Sequence, residues 1–290
     1  MLARILITGL TSGVVYALLA LGFSLVFGVA RIINFAHTSF YMLAAYFIFT
    51  CTYLLSLNLL LSMVLSIFAS TLIGVFSYKF IIERIREHEV TAIILTVALA
   101  LVFQEGMILI FGSRFHGIDP YISGYVELFG VRIGSQHILS LGVVFICIVI
   151  VSIFLYRSKA GLAIRGTAQD REMANLMGIN DDRMCLMAVT LATVLAAIAG
   201  IMVAPIRVVE PYMWTSPLVM ILAVVILGGL GSIKGSLIGA FILGYAETLV
   251  VFLVPNGSFL KESFAMLIIV IVLLIKPEGL FGVVFEEERL

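Results

Sequence analysis

Nine long apolar runs constrain this chain more than any other feature. They cover roughly residues 5–29, 38–56, 58–80, 91–112, 138–156, 184–204, 217–231, 235–254 and 262–276. A helix needs roughly 20 apolar residues to cross a bilayer, and most of these runs supply them. The runs are continuous, whereas a transmembrane β-barrel alternates apolar and polar residues. Charged residues are 12% of the chain and hydrophobic ones 62%. A soluble domain carries about a quarter charged residues, so this chain lacks the polar surface to cover itself in water. The expected fold is all-α, a polytopic integral membrane helix bundle of about eight or nine transmembrane segments forming one domain over residues 1–290. The seventh and last runs are short and are expected to be tilted, broken or re-entrant.

The first run opens like a signal peptide, with Arg4 before an apolar stretch. The stretch continues to Val29 and leads into further membrane sequence, so it reads as an uncleaved first span. Basic residues set the expected orientation, because cytoplasmic loops are enriched in Lys and Arg. One loop holds Lys79, Arg84 and Arg86; another holds Arg157, Lys159, Arg165, Arg171 and Arg183; Lys276 begins the last tail. Even numbers of spans separate these loops, so all three are expected inside and the N-terminus outside. Residues 113–137 then fall outside. They carry Gly and Pro turn signals and an alternating piece, Val126, Leu128, Val131, Ile133, which suggests a small hairpin or a helix lying on the membrane.

The net charge is zero, which implies no nucleic-acid partner. Cys51, Cys147 and Cys185 lack metal spacing, and His37, His88, His116 and His137 stand alone, so no metal, cofactor or catalytic set is expected. The stretch Gly228–Ser236, GGLGSIKGS, has the glycines of a phosphate loop, but Lys234 precedes Gly235 and the setting is membrane. The chain is therefore expected not to hydrolyse ATP itself.

Polar groups inside a bilayer are costly and usually face a bundle interior or a cavity. Asn34 and His37 interrupt the apolar sequence after the first run, Gln104 and Glu105 lie in the fourth, and Glu247 in the eighth. Two stretches share one texture: an apolar helix, a break of small and polar residues, then a helix rich in small residues. The breaks lie near Asn34–His37 and near Gly229 and Gly231. Transporters often carry such repeats, with broken helices beside the substrate site. These residues are the candidate translocation path. Gly-rich helix contacts and interhelical hydrogen bonds explain the same residues without a substrate.

The loop 157–183 has about as many acids as bases, unlike a simple lipid-binding patch. Helical signals run from Thr167 to Met177, with Gly178 as cap. Met173, Leu176 and Met177 share one face, Ala174 and Gly178 are small, and Asp170, Arg171 and Glu172 form a charged rim. An oily knob with a mixed-charge rim has the make-up of a protein-docking element; a solvated linker is the bland alternative.

Glu172-Met173-Ala174, then Gly178 four residues on, resembles the E-A-A-x-x-x-G coupling motif of ABC importer permeases, with Met173 in place of the first alanine. The later I-x-L-P part is absent, as is usual in the permeases of branched-chain amino acid importers. The stretches GVVYALLALGFSLVFGVARIINFAHTSFYMLAAY, GLAIRGTAQDREMANLMGI, GGLGSIKGSLIGA and KPEGLFG are similar to that family's markers along nearly the whole chain. The resemblance implies a multi-pass permease in the inner membrane, working with a second homologous permease, two cytoplasmic ABC ATPase subunits and an extracytoplasmic substrate-binding protein. It implies ATPase coupling through Arg165, Asp170, Arg171, Glu172, Ala174 and Gly178. Related permeases carry urea or short amides, which leaves the substrate open. An ion-coupled secondary transporter and a passive solute channel remain as competing readings; neither gives the charged loop a purpose.

Overall fold

A computed structural model describes residues 2–128, 131–276 and 278–282. All nine apolar runs are helices: α1 (Leu2–Ala30), α2 (His37–Phe49), α3 (Leu59–Ser77), α4 (Glu89–Phe111), α5 (Ser135–Arg157), α8 (Asp181–Val203), α9 (Thr215–Gly228), α10 (Ile233–Leu253) and α11 (Gly257–Ile275). The charged loop forms two more, α6 (Lys159–Gln169) and α7 (Arg171–Leu176). Seven of the helices are long and apolar enough to cross a membrane; α3 reaches that length by running on through a π turn and a 3-10 turn to Ile85. The protein is thus an all-α multi-pass membrane bundle. Two expectations change in detail. The last run begins five residues early, at Gly257, and is a full 19-residue helix rather than a short one. The short elements are α9, with 14 residues, and α2, with 13 plus a π turn at Thr50–Leu54.

α1 is the central post. Of its most apolar window 83% is buried inside the protein, against 6% for α11, so α11 leaves its apolar surface uncovered by the rest of the chain. The closest neighbour of α1 is α10, and the approach depends on glycine. A Cβ on Gly244 would lie 2.6 Å from the backbone of Gly13, so the two helices touch main chain to main chain. Small residues of this kind replace the hydrophobic drive that lipid removes, since close backbones gain van der Waals contact.

α3 shows the membrane version of amphipathicity. Ser62, Ser66, Ser70, Gly74 and Ser77 are buried, four or three residues apart, against α8 and α2. Leu60, Val64, Phe68, Leu72 and Phe76 form the opposite, exposed stripe. The small polar side faces protein and the oily side faces out.

The helices leave two distinct ends. One gathers Arg31, Arg165 and Lys234 around one cavity, with Arg86 and Arg171 paired to the start of α8 nearby. At the other end lies a hairpin of β1 (Tyr125–Leu128) and β2 (Val131–Gly134), antiparallel, pairing Val126 with Ile133 and Leu128 with Val131. The alternating residues therefore do form strands. The loop before the hairpin is pinned down: Tyr53 and Asp119 exchange hydrogen bonds of 2.8 and 2.9 Å, and the Tyr121 hydroxyl donates to the Ile201 carbonyl at 2.9 Å.

The α1–α10 contact should therefore be intolerant of bulk. Gly244→Val is expected to destabilise the purified protein by about 1–3 kcal/mol, the usual cost of overpacking. Gly106→Ala is the control, because a Cβ there meets nothing within 4 Å. Thermal unfolding in one detergent should show a lowered midpoint for the first and an unchanged or slightly raised one for the second; equal midpoints would contradict the packing described.

Candidate functional site

The charged loop begins where Ser158 caps α6, its side chain accepting from Gly161 N–H at 2.9 Å. The single helix expected over 167–178 is instead broken at Asp170, which has extended backbone angles (φ −147°, ψ 110°). The reason is local. The Asp170 carboxylate accepts from Met173 N–H at 2.9 Å, so a side chain that competes with the helix starts a new one. α7 then ends at Gly178, whose φ of +81° suits only glycine without strain. Gly178 N–H donates to Asn175 and Ile179 N–H to Ala174, which closes the last turn.

The six candidate coupling residues divide into two groups. Arg165 turns inward, donating to the Leu155 carbonyl at 3.0 Å and lying 4.6 Å above the Tyr156 ring. Arg171 donates to Asp181 at 2.6 Å, and Asp170 is the cap just described. Ala174 is buried beneath α7. These four fix the loop to the bundle. Glu172 and Gly178 are exposed, and so are Met173 (58%), Leu176 (82%) and Met177 (82%), which gives α7 an uncovered oily face. Sequence reasoning missed the other half of the clamp. Arg86, just after α3, reaches Asp181 at 3.2 Å and Asp182 at 2.8 Å. Arg86 and Arg171 thus share Asp181, and α7 is tied to the ends of both α3 and α8.

The candidate path residues do not form one cluster. Asn34 is buried and its side chain accepts from Ala36 N–H at 3.0 Å, shaping the turn into α2. His37 is buried too, with Nε2 3.1 Å from the Leu19 carbonyl and the ring edge-on to Phe23. Leu19 lies eleven residues before the end of α1, about 16 Å along the helix, so α2 begins deep inside the bundle rather than at its end. The segment between is held by Thr96 of α4, which accepts from Phe35 N–H at 3.3 Å. At the second break Gly229 and Gly231 have φ of +100° and +80°. The carbonyls freed there are taken by the chain itself: Leu280 N–H donates to Leu227 at 2.8 Å and Phe281 N–H to Gly228 at 3.0 Å. Gly231 packs against Phe27 and Gly28 of α1, whereas Asn34 and His37 lie on the side of α4 and mid-α1.

Gln104 is buried and accepts from the Trp214 indole at 2.9 Å. Glu105, next to it, points away from the interior on the exposed face of α4, so the expectation of an inward carboxylate fails there. One residue separates them by about 100° around the helix, and only one of the two can face in. Glu247 is buried (6% exposed) and accepts from the Tyr16 hydroxyl at 2.7 Å, with the Lys261 ammonium 3.8 Å away. It lines a cavity of ≈ 230 Å³ together with Arg207 and Lys261. A second cavity of ≈ 200 Å³ shares Thr8, Ser12 and Arg207 with it and extends to Tyr41 and His137. Both lie at the hairpin end of α1. Arg207 was not singled out in the sequence; it sits in a loop between spans and shows no pattern of its own.

Among the described residues, no group of three His, Cys, Asp or Glu side chains is placed to hold a metal ion. A family model described as branched-chain amino acid transport system / permease component matches residues 5–276. The high-affinity branched-chain amino acid transport system permease protein LivH of Escherichia coli (strain K12) is 31% identical, over 94% of this chain and 93% of that one. The permease protein BraD of Pseudomonas aeruginosa is 30% identical, over 96% and 94%. A solved structure, PsaBC from Streptococcus pneumoniae in complex with Fab, superposes with a TM-score of 0.56 at 15% identity, covering 96% of this chain and 97% of that one, and so shares the fold. With the family model matching over 5–276 and two such relatives aligned along nearly the whole length, this chain belongs to the permease components of branched-chain amino acid transport systems.

Proposed function

We propose that this chain is the translocation subunit of an ABC importer that brings branched-chain amino acids across the inner membrane. It works as a pair with a second homologous permease. Two cytoplasmic ATPase subunits supply the energy, and an extracytoplasmic binding protein delivers the substrate. The permease itself hydrolyses no ATP. The names of the relatives support the substrate class. The observation that carries the mechanism is the oily face of α7. Met173, Leu176 and Met177 are exposed on a short helix whose base is clamped by Arg86, Arg171, Asp181 and Asp182. An exposed apolar knob on a rigid base is what a groove in a partner requires.

In this reading Glu172, Met173, Leu176 and Met177 enter the ATPase groove, Gly178 lets the chain turn away without a side chain in the contact, and Arg165, Asp170 and Arg171 hold the knob in position. Closure of the ATPases on ATP moves α7, and α3 and α8 follow it. The end carrying Arg31, Arg86, Arg165, Arg171 and Lys234 faces the cytoplasm, as the bias of basic residues supports. The hairpin end faces the binding protein. The break at Gly229 and Gly231, the turn at Asn34 and His37, Gln104 and Glu247 border the route or shape its walls. Glu105, on the outer face of α4, is assigned to the contact with the second permease or with lipid headgroups.

Leu176→Glu and Glu172→Lys change exposed side chains only, so the permease should reach the membrane at normal yield. Both should weaken ATPase association about tenfold, the effect of ~1.4 kcal/mol. Co-purification of the ATPase subunits and substrate-stimulated ATP hydrolysis measure this, and wild-type values in both variants would remove α7 from the coupling role.

The orientation has its own test. In a background without Cys51, Cys147 and Cys185, single cysteines at Ser123 and Asn175, both exposed, should react oppositely with an impermeant thiol reagent on intact cells. Position 123 should label and position 175 should not; the reverse pattern would invert the assignment.

A further inference from the structure

The two adjoining cavities at the hairpin end of α1 make up a chamber that combines charged, hydroxyl and apolar walls. Thr8, Ser12 and Arg207 are common to both. Arg207 is solvent-accessible and lines both cavities. Burial opposes its charge, but Tyr16, Tyr41 and Glu247 around it outweigh that and hold the guanidinium pKa above its ordinary value. The chamber is charged without being balanced: Arg207 and Lys261 face a single carboxylate, Glu247. Arg4 and Arg132 line the adjoining cavity, which shares Thr8, Thr11 and His137, although Arg132 is paired with Glu127 at 2.8 Å.

Structural roles do not exhaust these groups. A carboxylate has about four acceptor sites on its two oxygens. In Glu247 one oxygen takes the Tyr16 hydroxyl at 2.7 Å, and the other has Lys261 at 3.8 Å, beyond hydrogen-bond length. A guanidinium offers a planar fork of donors that fits a carboxylate with two parallel bonds. Beside these groups the wall is apolar: Val15, Leu141, Val203, Ile206 and Pro217. The cation fork meets the oily wall in the cavity of ≈ 200 Å³ and the partly used carboxylate in the adjoining one of ≈ 230 Å³. Each alone is smaller than the pockets of drug-sized ligands, which are roughly 300–1,000 Å³.

We propose that this chamber is an outer holding site for an α-amino acid zwitterion, with Arg207 binding the carboxylate, Glu247 the ammonium and the Val15–Ile206 wall the apolar side chain. Tyr16 positions Glu247. The inference rests on the amino-acid reading above and sharpens it: a neutral solute such as urea has no charge to answer Arg207.

The test uses the complete importer in proteoliposomes with saturating binding protein. Uptake of labelled leucine and of labelled urea is measured per assembled complex, for wild type, Arg207→Gln, Arg207→Lys and the double variant Arg207→Gln/Glu247→Gln. Leucine uptake in Arg207→Gln should fall by about tenfold or more, as expected for losing a charge-assisted pair. Arg207→Lys should retain an intermediate rate, and the affinity for binding protein should be unchanged in both. The double variant should stay as slow as the single one. Recovery of uptake in the double variant would mean that Arg207 only neutralises Glu247, and would overturn the site. So would wild-type uptake in Arg207→Gln, a loss that follows binding-protein affinity, or a loss that follows a lowered melting temperature. A wild-type complex that moves urea and not leucine would remove the functional reading and the site together; leucine transport that ignores Arg207 would remove the site alone.

Discussion

The bundle is organised by the main-chain contact between α1 and α10. Lipid tails are as apolar as leucine, so hydrophobic side chains alone give membrane helices little reason to prefer each other. Gly13 and Gly244 give these two helices that reason by letting their backbones meet. Ser24 and Ser236 hydrogen-bond across the same interface, and Tyr16 joins Glu247 farther along it. With α10 fixed on one flank, α1 is free to receive α8, α5 and α9 on others, and it ends up enclosed. The chamber exists because α1 is enclosed: the same hydroxyls on a peripheral helix would face lipid.

Enclosure also explains the form of α2. Residues after Ala30 must leave the end of α1 and return to the interior before a second helix can start. They do so without regular structure, and each exposed main-chain group in such a stretch has to be satisfied inside the protein. Thr96, accepting from Phe35 N–H, and the Asn34 side chain, accepting from Ala36 N–H, meet part of that need. The second break uses a different solution, closing residues 280 and 281 over the carbonyls of 227 and 228. Two breaks with one texture in the sequence are therefore stabilised by unrelated means.

What the sequence made legible follows from how far apart the interacting residues are. The nine runs are local patterns and all became helices, although the last is longer than its apolar run, and of the two forms expected for 113–137 the alternating piece took the hairpin. The oily face of α7 was legible because Met173, Leu176 and Met177 are helical neighbours. The break at Asp170 was not, since a capping aspartate and an exposed rim aspartate look alike in one dimension. Glu247 stood out as a carboxylate in an apolar run, but its partner Tyr16 is 231 residues away, and nothing local links the two. The pairing role of Arg86, read only as a basic loop residue, and the role of Arg207 were hidden for the same reason: they come from Asp181 and Glu247, which only folding brings near.

The clamp on α7 decides where a displacement there can go. Asp181 and Asp182 form the first turn of α8, so the docking helix is riveted to the foot of that helix rather than suspended from the loop. α8 is one unbroken helix of 23 residues, about 34 Å long, and its far end carries the loop that bears Arg207. It crosses the bundle as a rocker arm with the ion-paired foot at one tip and a charged finger at the other. A tilt of a few degrees about the middle, where Ala192 lies against Gly22, would shift that finger by about an ångström or two, more than the roughly half-ångström latitude of a hydrogen bond.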